Sequence, residues 1–382
     1  MDFEFTEDQL ELRDNVRGVL AASCSPAFVR SIYDDGATGA GLWKQVVDLY
    51  WPALGIGDDH GGLGLGFVEI GILAEELGRA IAPGPLLATV TQFAPIVREA
   101  GDPAQQARFL EAVASGSISG TVALAETGES WDLTSVRATA RPRNGGWVLD
   151  GTKLHVFDVS SADEIAVVAR VADDAGLGVF VVPRAEISCA PRPLLDRTLD
   201  VGTVVLDGVH VPGDRALGAP GAPAMRRAVE RAAEEATVAM ALSTIGTCRA
   251  IFEMTLQYAK DRVQYGRPIG SFQALKHRFA DLFLAVERAT SLGYYAAMTI
   301  AEDETRRAIA TAMAKAAAGE CQRLAAQEGL QLHGGIGLTW EHDLHFFLKR
   351  AKAGDGLWGT AAHHRARVAD LLGLVERNGA SA

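Results

Sequence analysis

The chain has few of the features that mark secreted, membrane-spanning or nucleic-acid-binding proteins. Its four cysteines lie far apart, without a CxxC pair or a Cys/His cluster, and this predicts reduced thiols: Cys24, Cys189, Cys248 and Cys321. The amino-terminal residues lack the basic-then-apolar pattern of a signal peptide. The longest uncharged helical stretch, Ala236 to Cys248, falls short of the roughly 20 apolar residues that cross a bilayer. We therefore expect a cytoplasmic protein with no membrane partner.

Basic residues are scarce, with 36 Lys and Arg against 48 Asp and Glu and a net charge of −12. This acidic balance argues against a general nucleic-acid binder, because neutralising phosphates requires a basic face. Hydrophobic residues make up 48% of the chain and charged residues 22%, which excludes a mostly disordered protein. A length of 382 residues predicts two or three domains, since a domain usually has about 100–200 residues.

The residue pattern changes from helical to strand-like and back to helical along the chain. Thr6 and Gln9 form a predicted capping box, and a glycine-rich break at 60–66 precedes a predicted helix over 67–80. No strand precedes those glycines and no GK[ST] follows them, so they predict a structural turn. Short strand-like runs then cover 121–125, 135–140, 147–149, 165–171, 178–182 and 203–211, and the run at 147–149 is entered through a hairpin turn at Asn144-Gly145-Gly146.

These short strands predict a compact barrel or sandwich instead of βαβ units, and no GxGxxG opens a helix. Long alanine-rich helices follow over 225–261, 272–301 and 304–330, with shorter ones over 341–352 and 361–375, which is typical of a helix bundle. We predict an α+β fold with an N-terminal helical domain (1–118), a β-domain (119–216) and a C-terminal bundle (217–382).

Two motifs near the C-terminus resemble the acyl-CoA dehydrogenase family. Residues 262–273 read RVQYGRPIGSFQ, similar to RxxFGxxIxxFQ, and residues 331–337 read QLHGGIG, similar to QxxGGxG. The resemblance extends over essentially the whole chain and implies FAD bound at a subunit interface. A guanidinium pairs well with phosphate, and glycines allow close backbone approach. The FAD-binding residues that it implies are Arg262, Gln273, Gln331, Gly334, Gly335 and Thr360.

The family's reaction is α,β-dehydrogenation of an acyl-CoA, in which a carboxylate removes the α-proton and hydride passes to flavin. The usual base is the Glu of a (Y/F)-E-G-T loop, and this chain has Trp358 in that place. Some members carry the base on the long helix before Arg262, where the matching position is Ala236. Glu235 beside it would face about 100° away. Glu235 and Asp355 are the remaining candidates, and each could instead be a solvated charge.

The segments that contact the flavin ring in the family also differ here. The (T/S)-E-P-x-x-G-S-D segment reads AETGESWD over 125–132, and the W-I-(T/S) segment after G-x-K reads His155-Val156-Phe157. His155 takes the place of the packing aromatic, and Phe157 the place of the hydroxyl that faces flavin N5. We expect that side-chain hydrogen bonds to the ring cannot form, and that His155 either packs or titrates.

Two hypotheses follow from the resemblance. The chain is a working dehydrogenase with its base elsewhere, or it is the degenerate subunit of a heteromeric dehydrogenase that completes an FAD site. It resembles the degraded subunits of paired α2β2 enzymes that act on steroids. The implied partners are an acyl-CoA of unidentified acyl group, another such subunit in a homo- or hetero-oligomer, and electron-transferring flavoprotein or a similar acceptor.

A histidine-rich segment near the C-terminus could suggest a metal site. His342 and His345 share a helix face at i, i+3. The resembling family has a similar acidic helix start without metal, so we predict no metal. His363 and His364 form a second pair, expected to be exposed and without a third ligand.

Overall fold

The computed structural model describes residues 4–126, 131–172 and 176–374. It begins with helices, the first of which starts at the predicted capping box of Thr6 and Gln9. A π-helical turn, Thr89–Phe93, joins α5 to α6. The N-terminal helices are α1 (Glu7–Ser23), α2 (Pro26–Asp34), α3 (Ala40–Asp48), α4 (Phe67–Arg79), α5 (Leu86–Ala88), α6 (Ala94–Ala100) and α7 (Pro103–Ala114).

Seven strands of the described ranges form one mixed sheet in the order β1-β4-β2-β3-β7-β6, and β5 also pairs with β4, in antiparallel orientation. Asn144 and Gly145, both with positive φ, make the predicted turn between β2 and β3. The strands are β1 (Gly120–Ala123), β2 (Thr139–Arg143), β3 (Gly146–Phe157), β4 (Glu164–Val171), β5 (Leu177–Pro183), β6 (Ser188–Pro191) and β7 (Val201–Pro212).

Two pairings of this sheet, β1 with β4 and β2 with β4, are parallel, which the strand pattern did not predict. The chain between β1 and β4 runs through the β2–β3 hairpin and not through a crossover helix, so these are not βαβ units. The order of helices, then strands, then helices confirms the predicted α+β class. The division into three domains at 118 and 216 stays a prediction.

Five helices follow the sheet and confirm the predicted bundle. They are α8 (Pro223–Asp261), α9 (Gln273–Ala301), α10 (Arg307–His333), α11 (Leu344–Gly356) and α12 (Ala361–Leu371), with a hairpin of β8 (Val263–Gln264) and β9 (Arg267–Pro268) between α8 and α9. Helix α4 packs along α8 at very close range: a Cβ added at Gly78 would lie 1.8 Å from the Ser243 carbonyl oxygen. Only glycine allows this approach.

The apolar core has two large parts that share α8. One joins α1 and α4 to α8, α9 and α10, and the other joins α6, α7 and the sheet to the first half of α8. Trp358, on the loop between α11 and α12, belongs to the second part. That loop therefore lies where the sheet meets the bundle.

A buried polar network around Arg350 fixes α11 against the rest of the chain. Its Nε lies 2.7 Å from Asp196 Oδ2, and its Nη2 donates to the Thr198 hydroxyl at 2.6 Å. The same nitrogen lies 3.2 Å from the carbonyl oxygens of Ile81 and Ala82.

None of the helices in the described ranges is long and apolar enough to span a membrane.

Candidate functional site

A row of three aromatic side chains lies where the sheet meets the α11–α12 loop. The Trp358 ring is 4.6 Å from the Trp131 ring at 31°, and Trp131 is 6.4 Å from the His155 ring. Trp358 is 3% exposed, and Phe157 is buried in the same apolar cluster. The two tryptophan rings therefore pack against each other beside the loop. Residues 127–130 of the segment preceding Trp131 lie outside the described residues.

The backbone at both ends of this row is in the left-handed region. His155 has φ 55° and Trp358 has φ 58°. This conformation is uncommon for bulky residues and costs about 1–3 kcal/mol, so the surrounding structure must hold it in place. The Nε2–H of His364 donates to the Trp358 carbonyl oxygen at 2.8 Å. Lys315 Nζ donates to the carbonyl oxygens of Gly354 and Asp355 at the end of α11.

Glu235 faces away from this row of rings. It is buried, forms an ion pair with Arg98 and lies 4.0 Å from Arg307. Burial raises its pKa, against the opposing effect of Arg98. Ala236, one residue later, packs in the cluster that contains Trp358, as the 100° rotation between neighbouring helical residues predicts.

Asp355 is likewise engaged by a basic neighbour. Its Oδ2 lies 3.5 Å from Lys352 Nζ. Its carbonyl oxygen accepts a hydrogen bond from the buried Lys315, whose pKa burial lowers to about 8. Both candidates for the base are therefore paired with cations, and a role as base for either residue stays a prediction.

Glu234 is not among the residues predicted from the sequence, and it lines a cavity beside Trp358. Its carboxylate accepts from Arg307 Nε at 2.6 Å, and burial raises its pKa. Thr237, three residues later, lines the same cavity. A helical projection from Thr237 would have found Glu234, because residues at i and i+3 share a helix face.

The ends of three bundle helices meet at a second candidate site. The Tyr258 ring near the end of α8 stacks on His333 at the end of α10, with centroids 4.4 Å apart. Phe279 in the first part of α9 belongs to a small core with Ala259 and Leu332. The structure thus brings five of the predicted FAD-binding residues to one end of the bundle: Arg262, Gln273, Gln331, Gly334 and Gly335.

The five predicted FAD-binding residues at this end of the bundle are exposed and accessible to a ligand. The Arg262 guanidinium makes no hydrogen bond or ion pair within the described part of the chain. Gly334 has φ 65°, and a Cβ added at Gly334 or Gly335 would meet no atom within 4 Å. Gln331 is exposed, and Gln273 Nε2 lies 3.3 Å from His277 Nε2. A cation that has no partner among the described residues, at the same end of the bundle as open backbone amides, suits an anionic ligand.

Thr360, the sixth predicted residue, lies elsewhere. It caps α12, and its hydroxyl oxygen accepts the His363 N–H at 3.2 Å. The neighbouring Ala361 faces Gly319 in the middle of α10. Gly319 precedes Gln331 by 12 residues, which is about 18 Å of helix. Within one chain the predicted residues therefore form two separate groups.

A buried ion pair fixes the sheet on both sides of residues 127–130. Lys153 Nζ lies 2.6 Å from Glu126 Oε1 and 3.1 Å from the Leu124 carbonyl oxygen. The Glu126 carboxylate also accepts the backbone N–H groups of Arg137 and Ala138. Burial lowers the pKa of Lys153 to about 8, although Glu126 opposes this effect.

The histidines that the sequence singled out have ordinary partners, with one correction. His342 Nδ1 accepts the Leu344 N–H, and His345 stacks on Trp340 at 4.8 Å. Across the described ranges no group of three or more His, Cys, Asp or Glu side chains could hold a metal. The expectation that His364 is exposed is wrong: it is 4% exposed, because it packs under the Trp358 loop.

Comparison with known proteins identifies relatives over nearly the whole chain. The model for the acyl-CoA dehydrogenase N-terminal domain matches residues 6–117, and the model for the C-terminal domain matches residues 225–373. Acyl-CoA dehydrogenase IpdE2 of Mycobacterium tuberculosis is 31% identical over 353 residues, covering 90% of this chain and 91% of the relative.

Two solved structures share the fold of this chain, and one of them is of a complex and the other of a variant. A chain of the ChsE4-ChsE5 complex from Mycobacterium tuberculosis is 27% identical, with a TM-score of 0.89 over 98% of this chain and 100% of that one. A chain from a variant of the Tcur3481-Tcur3483 steroid ACAD is 30% identical, with a TM-score of 0.86 over 96% of this chain and 98% of that one.

Proposed function

The chain belongs to the acyl-CoA dehydrogenase family, and from that premise we propose that it is one subunit of a heteromeric FAD-dependent acyl-CoA dehydrogenase. It lacks a general base of its own and completes an FAD site whose base comes from another polypeptide. The reaction removes the α-proton and the β-hydrogen of an acyl-CoA thioester. FAD, when bound, accepts the β-hydrogen as hydride.

The buried Trp358 is the observation that carries this proposal. It stands on the loop where the family has its catalytic Glu, and its indole N–H donates hydrogen bonds but cannot take a proton from carbon. Its ring packs on the Trp131 ring with centroids 4.6 Å apart, which holds the indole in place beside the loop. A correctly placed general base contributes about 10²–10⁴-fold to such a reaction. We therefore expect little turnover from the chain alone.

The bundle end fits the phosphate and adenosine portion of FAD. Arg262 would pair with phosphate through its free guanidinium, and Gly334 and Gly335 would bring backbone amides close to the dinucleotide. Thr360 belongs to a separate group of residues, about 18 Å from the bundle end as measured along α10. This separation supports an FAD shared between chains, with the five residues of this bundle end serving the partner's flavin.

The names of the relatives support a hetero-oligomer acting on a bulky acyl-CoA. ChsE4-ChsE5 is a complex, and the Tcur3481-Tcur3483 protein is described as a steroid ACAD. By this similarity we propose a steroid-type acyl-CoA as the substrate class. Electrons would leave the reduced cofactor to electron-transferring flavoprotein or a similar acceptor.

A self-sufficient dehydrogenase is the second candidate function, and Glu234 is the observation that favours it. This carboxylate lines the cavity beside Trp358, and burial raises its pKa, as is typical of a general base. The 2.6 Å hydrogen bond from Arg307 opposes this role, because it stabilises the carboxylate and engages one of its oxygens.

Expression with and without a second acyl-CoA dehydrogenase subunit tests the proposal. We expect colourless, inactive protein from the chain alone and a yellow, active complex after co-expression. Glu234→Gln should leave the turnover of the complex nearly unchanged. Robust turnover by the chain alone, lost in Glu234→Gln, would establish the self-sufficient enzyme instead.

A further inference from the structure

The cavity beside Trp358 is large enough for a small organic molecule. It has a volume of about 80 Å³ and is bounded by α8, α10, α12 and the segment that starts at Trp131. A water molecule needs roughly 10–15 Å³ of such volume, so the cavity has room for roughly five to eight non-hydrogen atoms. We call this cavity the chamber.

Three buried polar atoms on the chamber wall have no hydrogen-bond partner among the described residues. They are Trp358 Nε1, His364 Nδ1 and Thr311 Oγ1. The three side chains are between 3% and 4% exposed. Leaving one such group unpaired costs about 1–3 kcal/mol, and buried polar groups are nearly always satisfied. Three of them around one cavity indicate a bound molecule that supplies their partners.

The hydrogen-bonding pattern of these atoms defines the chemistry of that molecule. His364 donates through Nε2 to the Trp358 carbonyl oxygen, so Nδ1 carries no proton and accepts. Burial lowers the pKa of His364 to about 3, which keeps the ring neutral. The Trp358 indole N–H only donates, and the Thr311 hydroxyl does either. A single hydroxyl group on a ligand can accept from Trp358 and donate to His364.

The charges at the rim of the chamber favour an anionic end on the ligand. Arg367 is exposed there and makes no hydrogen bond or ion pair within the described ranges. The other charged groups of the wall are already bonded: Arg226 to Glu230, Glu234 to Arg307, and Asp132 to the Thr134 N–H. Among the described residues of the wall, the cation left without a partner is therefore Arg367, which can pair with a carboxylate.

We propose that the chamber binds a short hydroxycarboxylate, with its hydroxyl between Trp358 and His364 and its carboxylate toward Arg367. This goes beyond the proposed function, because it uses no residue of the bundle end that would contact FAD. The neutral His364, the indole N–H of Trp358 and the guanidinium of Arg367 would then form a small-ligand site. This site lies in the cleft where Trp358 takes the place of the family's catalytic Glu.

Fluorine NMR of the 5-fluorotryptophan-labelled complex tests this proposal with 3-hydroxybutyrate as the probe. The Trp358 resonance is assigned by its disappearance in Trp358→Phe. We expect a saturable shift of this resonance with 3-hydroxybutyrate. Butyrate lacks the hydroxyl and 2-butanol lacks the carboxylate, so each should bind at least tenfold more weakly.

Two variants and a matched control locate the site. Thr311→Val keeps the side-chain shape but removes the hydroxyl, and should weaken binding several-fold without lowering the unfolding temperature. Arg367→Gln should weaken 3-hydroxybutyrate and leave 2-butanol unaffected. Thr299→Val removes a buried hydroxyl that is already bonded to the Ala296 carbonyl oxygen, and should leave probe binding unchanged.

No saturable shift with any probe would mean that the chamber holds ordered water only and would overturn the proposal. Equal binding by wild type and Thr311→Val would do the same. Flavin content measured in the same samples should not change with probe or variant. Failure of this proposal is therefore distinguishable from failure of the proposed FAD role.

Discussion

Replacing Arg350 with methionine should destabilise the chain by about 3–5 kcal/mol, because it leaves the carboxylate of Asp196 buried without its cation. Asp196 is 1% exposed and lies 2.7 Å from Arg350 Nε. Thr198, Ile81 and Ala82 would also lose the donor that now lies within 3.2 Å of their oxygens. Because Asp196 and Thr198 lie between β6 and β7, and Ile81 and Ala82 lie between α4 and α5, the loss should affect the whole fold.

A double variant and an exposed control distinguish the loss of the buried ion pair from the general effect of replacing an arginine with methionine. Arg350→Met combined with Asp196→Asn should cost clearly less than the two single changes added, because no charge is left unpaired. Arg108 pairs with Asp214 at 2.8 Å, but their side chains are 46% and 68% exposed. Arg108→Met should therefore cost at most about 1 kcal/mol.

Thermal unfolding followed by circular dichroism measures both effects. Each 1 kcal/mol shifts the midpoint by roughly 2–4 °C in chains of 150–250 residues, and by less in a longer chain. We therefore expect Arg350→Met to lower the midpoint by several degrees and Arg108→Met to leave it nearly unchanged. Equal midpoints for the two variants would refute the reasoning about the buried network.

Three further predictions concern the site. Glu235→Gln and Asp355→Asn should each leave the steady-state turnover of the complex nearly unchanged. If one of them instead lowered turnover by roughly 10²–10⁴-fold, the contribution expected of a general base, it would identify that residue as the base. Lys153 and Lys315 should lose their protons near pH 8 in lysine-labelled NMR spectra, and Lys153→Met should remove one titration. The pKa of each lysine in the folded state is below its unfolded value near 10.5, so burying the ammonium group destabilises the fold fully below pH 8. The free energy of unfolding should therefore rise as the pH increases from 8 to 10.5. A lysine titration near pH 10.5 would contradict this prediction. Trp358→Glu should lower the free energy of unfolding by about 3–5 kcal/mol, the usual cost of deleting a buried tryptophan. The isolated variant chain should still show no activity in an acyl-CoA dehydrogenation assay.

The long helices could be predicted because their periodicity is local. The predicted helix over 225–261 is observed at Pro223–Asp261, and that over 272–301 at Gln273–Ala301. The parallel pairing of β1 with β4 could not be predicted, because it joins residues 120–123 to 164–167 across an intervening hairpin. Nothing in a run of short strands specifies which distant strand becomes the neighbour.

The candidate site was predictable only where a motif carried it. The family resemblance implied one FAD site for Arg262 and Gln331, and the structure brings the ends of their helices together, while FAD binding there stays a prediction. The pairing of Glu235 with Arg98 joins residues 137 positions apart, so no local pattern reveals it. The burial of His364 follows from a loop that folds back on α12, which residue spacing does not encode.

Flavin content of the purified two-subunit complex is the measurement that tests the central claim most directly. We expect one FAD for each pair of different chains, and we expect most of that FAD and of the turnover to be lost when Arg262 of this chain is changed to alanine. Arg108→Ala, on the exposed pair, should change neither quantity. An isolated chain that binds its own FAD and dehydrogenates an acyl-CoA, or a complex whose flavin is unaffected by Arg262→Ala, would contradict the account.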